Sequence, residues 1–174
     1  IAFTAGDSML VFVGLPWEYN NKLYNVAAAI QDGKLLGLVP KRWIPNYSEF
    51  YEGRYFNSGW EKTIDVSWDG YQVPMGMKLL FSCDNVENLV VGAEICEDVW
   101  VLNPPSIAHA SAGATVIVNC SASDEVTGKS EYRRSLISGQ SARLLCAYIY
   151  ANAGEGESSQ DLVFGGQNII AENG

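Results

Sequence analysis

The stretch that most constrains this chain is Val91-Gly92-Ala93-Glu94-Ile95-Cys96-Glu97-Asp98-Val99-Trp100. Leu89 to Ile95 is a short, mostly apolar run of the length of a buried strand, and it stops at a cysteine followed by two carboxylates. A run of this kind delivers Cys96 to a strand end. Glu97 and Asp98 then suit a tight turn with unpaired backbone N–H groups, the place where a sheet-borne nucleophile meets substrate and oxyanion donors. A cysteine closing an apolar run is also commonly a small buried hydrophobe, so the rest of the chain must decide between the two.

With 174 residues, 48% hydrophobic and 18% charged, the chain has the size of one domain and can bury a sizeable core. It opens on Ile1 and stops at Gly174 just after the strand-like run 168–171, which leads us to expect a piece of a longer protein. Net charge is −9, and no cluster of the 11 basic residues is interleaved with aromatics, so nucleic acid is not an expected partner. No apolar run approaches the roughly 18 residues of a membrane span and no signal-peptide pattern opens the chain, so no membrane partner is expected. Cys83, Cys96, Cys120 and Cys146 include no CxxC pair, and three of them sit at or within apolar runs. That usage fits reduced thiols in a cytoplasmic protein and argues against a metal site.

Along the chain, Met9 to Val13 reads as a short strand. Leu23 to Ile30 and Lys34 to Val39, joined by Gln31-Asp32-Gly33, read as a hairpin. That hairpin ends at Pro40-Lys41, which places Lys41, like Cys96, at the end of a buried-type strand. Arg42 to Trp60 is a long connection with two Trp, three Tyr and two Phe, a composition that suits a binding-site wall or a cover over a neighbouring layer. Thr63 to Gln72 shows no clear pattern, and Lys78 to Cys83 reads as a strand. Asn103-Pro104-Pro105-Ser106 can start a helix that Gly113 stops. Thr115 to Asn119 is a β-branched strand, Ser130 to Cys146 the longest helical candidate, and Ala147 to Ala151 a further strand. After a loop at 154–159, Leu162 to Phe164 and Gln167 to Ala171 read as a last hairpin around Gly165-Gly166. Strands alternating with helices and hairpins predict a single α/β layered domain over residues 1–174 with a mixed sheet.

A thiolate nucleophile needs a proton acceptor, an electrophile-stabilising cation and a pocket. Lys41 can be the cation. A Cys-His dyad would need His109, the sole histidine, but it lies thirteen residues after Cys96 on an expected helix, where packing or solvent contact is its ordinary role.

The segments Pro40-Lys41-Arg42-Trp43-Ile44-Pro45-Asn46-Tyr47-Ser48-Glu49-Phe50-Tyr51-Glu52, Glu94 to Trp100, and Ala153-Gly154-Glu155-Gly156-Glu157-Ser158 are in order, with 96 − 41 = 55 positions from lysine to cysteine. They resemble the nitrilase-type (carbon-nitrogen hydrolase) glutaminase domain of bacterial glutamine-dependent NAD synthetases, nearly end to end. The resemblance implies an α-β-β-α sandwich with mixed sheets, here truncated at both ends, and a Glu-Lys-Cys triad. Cys96 would be the nucleophile, and Lys41 would hold the oxyanion together with the backbone N–H of Glu97. The triad's proton-accepting glutamate belongs upstream of the strand at 9–13. Glu18, Glu49 and Glu52 do not stand at that position, and residues 1–174 are expected to be inactive alone.

Residue by residue, the resemblance puts Tyr47 and Ser123 in the lining of a glutamine pocket. It puts Lys129 where related sequences often carry arginine for the substrate carboxylate, and Glu97 and Trp100 at its α-amino group and stem. A lysine keeps the charge but loses the bidentate fork. The implied reaction is hydrolysis of the glutamine amide through a thioester, with ammonia passing to a separate ATP- and Mg-using synthetase domain that amidates deamido-NAD. No cofactor is expected in residues 1–174, and the parent is expected to be a homo-oligomer. Two alternatives stay open: a stand-alone amidase acting on another small amide, and an inactive scaffold.

Overall fold

The computed structural model describes residues 9–157 and 161–174. The first sheet holds β1 (Val11–Tyr19), β2 (Lys22–Gln31), β3 (Lys34–Pro40), β4 (Ile64–Trp68) and β5 (Tyr71–Met75), in the order β1-β2-β3-β5-β4. Its pairs are antiparallel except β3 with β5, which meet in parallel at Leu38 and Met75. The second sheet has the order β10-β9-β8-β7-β6, from β6 (Leu80–Ser82), β7 (Val90–Ile95), β8 (Val116–Ser121), β9 (Ala147–Asn152) and β10 (Ile169–Glu172). Its three central strands run in parallel and its two edge strands antiparallel. Both sheets are mixed, as the resemblance implied.

Alternation along β2 explains how the sheets stack. Tyr24, Val26, Ala28 and Ile30 face one side and join Leu38, Val66, Val73 and Met75 in one core. Ala27 faces the other and meets Val39, Ala93 and Ile95 between the sheets, where β2 and β3 contact β7. Small residues at this junction let the two backbones approach closely. The outer face of the second sheet is covered by α1 (Pro105–Ser111) and α2 (Lys129–Leu144), with Ile137 of α2 packed on Ile117, Tyr148 and Tyr150. A Cβ at Gly92 would stand 2.9 Å from His109 Nδ1, so glycine is what allows α1 onto β7.

Three expectations need correction. The first strand runs to Tyr19 and forms a hairpin with β2 over Asn20-Asn21, both left-handed (φ 50° and 58°). Pro16 inside it is tolerated because β1 is a sheet edge. The patternless segment 63–72 contributes a hairpin, β4–β5, whose turn is Asp69-Gly70 (φ 46° and 83°). Trp68 and Tyr71, both largely exposed, mask its alternation.

The last hairpin does not form. Residues 162–168 carry no strand, because Val163 O accepts the Glu125 N–H (2.8 Å) and Gln167 joins Arg133 instead. β10 pairs with β9. Ser158 and Ser159, in the expected loop and the third family-like segment, lie outside the described residues.

Candidate active site

Lys41 leaves the end of β3 and Cys96 the end of β7, so the two come from different sheets. They line one cavity of about 440 Å³ together with Phe50, Glu52, Ser121 and Asn152. The cavity stands at the strand ends where β7 and β8 run in parallel, a usual place for a site in such sheets.

Cys96 has φ 44°, a left-handed conformation that a non-glycine residue holds only when its surroundings impose it. Asn119, on β8, supplies one constraint: its Oδ1 accepts the Cys96 N–H at 2.9 Å. Asn119 is itself fixed, donating from Nδ2 to Tyr148 Oη at 3.1 Å, while Tyr148 donates to the buried carboxylate of Glu94. Glu94 Oε2 also accepts the Ser106 N–H at 2.8 Å. Burial pushes the Glu94 carboxyl up, against the bonds from Tyr148 and Ser106. With its own N–H engaged, Cys96 leaves the amide of Glu97 as the next backbone donor in the turn.

Asp98 is 1% exposed and accepts backbone N–H groups from both strand ends: Trp43 (2.7 Å) and Arg42 (3.1 Å) on Oδ1, and Ile95 (3.0 Å) on Oδ2. Burial, and then repulsion from Glu94, push its carboxyl up to about 7 against the pull of the backbone donors and Lys41.

Lys41 is 2% exposed, and its ammonium pairs with Glu52, whose other oxygen accepts Asn25 Nδ2 at 2.7 Å. This carboxylate was not expected from the sequence to take part. Its signal was available only as spacing: Glu52 opens a short 3₁₀ turn that brings the aromatic loop back over β2 and β3. Gly59 then packs on Lys41, where a Cβ would stand 3.0 Å from the Lys41 carbonyl.

The remaining expected residues divide. Tyr47 donates to Glu97 at 2.9 Å and packs edge-on against Phe50, with ring centroids 5.7 Å apart. Burial and the Glu97 carboxylate push its hydroxyl up to about 12. Burial raises the half-buried Glu97 carboxyl, opposed by Tyr47, Lys41 and Lys129.

Lys129 opens α2, pairs with Asp124, and holds its ammonium 5.6 Å from the Phe50 ring and 5.5 Å from the Trp100 ring. Trp100 thereby flanks Lys129, while its neighbours 99–102 form a separate groove with α2. Ser123 is buried, with its N–H on Asn152 Oδ1 (2.8 Å) and its hydroxyl accepting from Arg133 (3.4 Å), whereas Ala122 beside it lines the cavity. His109 donates from Nε2 to Met77 O (2.8 Å), a packing role. Glu157 also lines the cavity. Among the described residues no cluster of His, Cys, Asp and Glu is arranged to hold a metal, and no helix is long and apolar enough to cross a membrane.

Residues 4–174 match the carbon-nitrogen hydrolase family. A glutamine-dependent NAD(+) synthetase of Mycobacterium tuberculosis is 44% identical over 165 residues, covering 95% of this chain and 24% of the relative. One from Aquifex aeolicus is 32% identical over 170 residues, covering 98% and 26%. The chain thus spans about a quarter of the length of these curated relatives. Among solved structures, a glutamine-dependent NAD(+) synthetase from Cytophaga hutchinsonii superposes with a TM-score of 0.82 at 30% identity, covering 95% of this chain and 26% of that one. A Nesterenkonia amidase of the nitrilase superfamily shares the fold, with a TM-score of 0.71 at 18% identity over 99% of this chain and 57% of that one.

Proposed function

Because the chain belongs to the carbon-nitrogen hydrolase family, we propose that it is the glutamine-hydrolysing part of a longer glutamine-dependent NAD synthetase. The observation that carries this reading is the convergence of Cys96 and Lys41, from two sheets, on one cavity walled by the aromatic loop. The Cys96 thiolate attacks the carboxamide carbon of glutamine. The oxyanion is stabilised by the Lys41 ammonium and the Glu97 backbone N–H, ammonia leaves with a proton, and water cleaves the γ-glutamyl thioester to glutamate.

A carboxamide is a poor electrophile, so a fixed cation and amide at the developing charge provide much of the acceleration. Glu52 pairs with the Lys41 ammonium and holds it aimed on this side of the cavity. The acceptor of the thiol proton is a glutamate from upstream of β1. Tyr47, Glu97 and Lys129 recognise the zwitterionic end of glutamine, Trp100 and Ser123 support that wall, and ammonia passes to a synthetase domain that binds ATP and Mg. The enzyme works in the cytoplasm, as a homo-oligomer.

The test is a comparison of nitrogen donors in the full-length protein. Cys96→Ala is expected to abolish glutamine-dependent NAD synthesis and to leave ammonia-dependent synthesis largely intact. Equal loss with both donors would refute the assignment, and a parent without a nucleotide-binding domain would favour an amidase acting alone on another small amide.

A further inference from the structure

The Lys41–Cys96 pairing poses a mechanical problem. Each residue ends a strand of a different sheet, and between the sheets lie mainly Ala27, Val39, Ala93 and Ile95. Apolar contact of this kind holds layers together without fixing their relative position, because dispersion is non-directional. A shared oxyanion demands a fixed separation between ammonium and thiolate, and a displacement of about 1 Å can cost on the order of a hundredfold in rate.

We propose that Asp98 is the positioning residue that sets this separation, its single carboxylate binding the backbone next to Lys41 with one oxygen and the backbone next to Cys96 with the other. Oδ1 takes the N–H groups of Arg42 and Trp43, the two residues after Lys41, at 3.1 and 2.7 Å, and the Arg42 N–H makes a longer 3.4 Å contact to Oδ2. Oδ2 takes the N–H of Ile95, the residue before Cys96, at 3.0 Å. Each catalytic residue is therefore one peptide away from an amide on the same buried group. Hydrogen bonds to a carboxylate are directional and about twice as strong as neutral ones, so this link resists the sliding that the apolar layer permits.

Two ordinary roles do not account for the arrangement. Capping of the turn at Cys96 explains the bond to Ile95 and leaves both bonds across to the first sheet unexplained. Charge neutralisation of Lys41 does not explain it either, because the Lys41 ammonium pairs with Glu52. Asp98 is buried, yet its hydrogen-bond partners among the described residues are three backbone N–H groups, with Lys41 acting on it only through space, the pattern of a carboxylate that organises backbone.

The inference deepens the glutaminase reading and rests on it for its kinetic readout, so the test has an arm that does not. In the full-length protein, Asp98→Asn keeps the shape but leaves one acceptor oxygen. With Nδ2 in the Oδ2 place the Ile95 bond is lost; with Nδ2 in the Oδ1 place the Trp43 bond is lost and Arg42 keeps at most its 3.4 Å contact to the other oxygen. The expected result is a fall of about a hundredfold in kcat for glutamine hydrolysis with KM within threefold, since the binding wall is untouched. Crystal structures of wild type and variant are expected to show the Lys41 Nζ to Cys96 Sγ separation widened in the variant.

An unchanged separation, or a kcat within threefold of wild type, overturns the proposal. Should Asp98→Asn fail to fold, Trp43→Pro removes the 2.7 Å donor in an exposed loop while keeping the carboxylate. The same loss of kcat and widening are expected, and their absence overturns the proposal equally. Wild-type protein that releases no ammonia from glutamine refutes the glutaminase reading alone, and the structural comparison still decides the role of Asp98.

Discussion

Lys41→Met separates catalysis from stability at this site. The substitution keeps an unbranched stem but removes an ammonium whose side chain is 3% exposed, leaving Glu52 at 16% exposure without its cation. Breaking a buried pair from one side costs about 3–5 kcal/mol. The lower end applies, because Glu52 keeps Asn25 Nδ2 at 2.7 Å and touches water. At about 2–4 °C per kcal/mol for a domain of this size, a loss of about 3 kcal/mol lowers Tm by roughly 6–12 °C. Removing one oxyanion stabiliser costs a further, separate ~3 kcal/mol in the transition state, about a hundredfold or more in kcat, with a smaller effect on KM.

The double variant Lys41→Met with Glu52→Gln divides the two effects. It no longer buries an orphan charge, so Tm should recover most of the loss while kcat stays down. Calorimetry and a coupled ammonia assay on wild type, single and double variants measure both. A single variant that keeps kcat within a few-fold of wild type, or a double variant no more stable than the single one, would refute the pairing and the oxyanion role argued from it.

Further expectations concern the turn and its neighbours. Cys96→Gly should be more stable than Cys96→Ala by about 1 kcal/mol, because glycine adopts the left-handed backbone without strain, and both should lack glutaminase activity; equal stability in chemical denaturation would mean that φ is not strained. Asp98, raised to about 7 in the folded protein from an ordinary 3.8, binds its proton more tightly when folded. Its stabilising contribution is therefore complete below pH ~4 and lost as pH rises to ~7, by up to about 4 kcal/mol. Buried Glu94, which repels Asp98, shifts in the same direction, and Lys41 opposes. The stability of Asp98→Asn minus that of wild type should rise between pH 4 and 7, whatever its value at pH 4, and a flat difference refutes the shift. Tyr47→Phe should raise KM for glutamine about tenfold with little change in kcat, by freeing the Glu97 carboxylate; an effect confined to kcat would place Tyr47 in the chemistry instead. Residues 1–174 alone should release ammonia near background, whereas robust Cys96-dependent turnover would give the base role to Glu52 or Glu157, the carboxylates that line the cavity.

Local pattern determined much of this protein. The apolar run into Cys96, the hairpin ending at Lys41, the Pro-started helix α1 and the aromatic loop were all legible, because strand ends, caps and turns depend on a few neighbouring residues. The β4–β5 hairpin was legible in principle at Asp69-Gly70, but its exposed Trp68 and Tyr71 concealed the alternation. The failed last hairpin shows the opposite limit: Val163 and Gln167 are claimed by Glu125 and Arg133, 38 and 34 positions upstream, and no local rule reports that. The same holds for the site. Sequence spacing and resemblance picked out Cys96 and Lys41 but not the carboxylates that hold them, Glu52 on Lys41 and Asp98 between the two strand ends. Asp98 meets its partners only when the two sheets pack face to face, whereas Glu52 is brought back onto β2 and the end of β3 by the fold of the aromatic loop. Their hydrogen bonds join residues up to 56 positions apart, so the tertiary structure alone determines which acidic side chain is a surface charge and which one is built into the site.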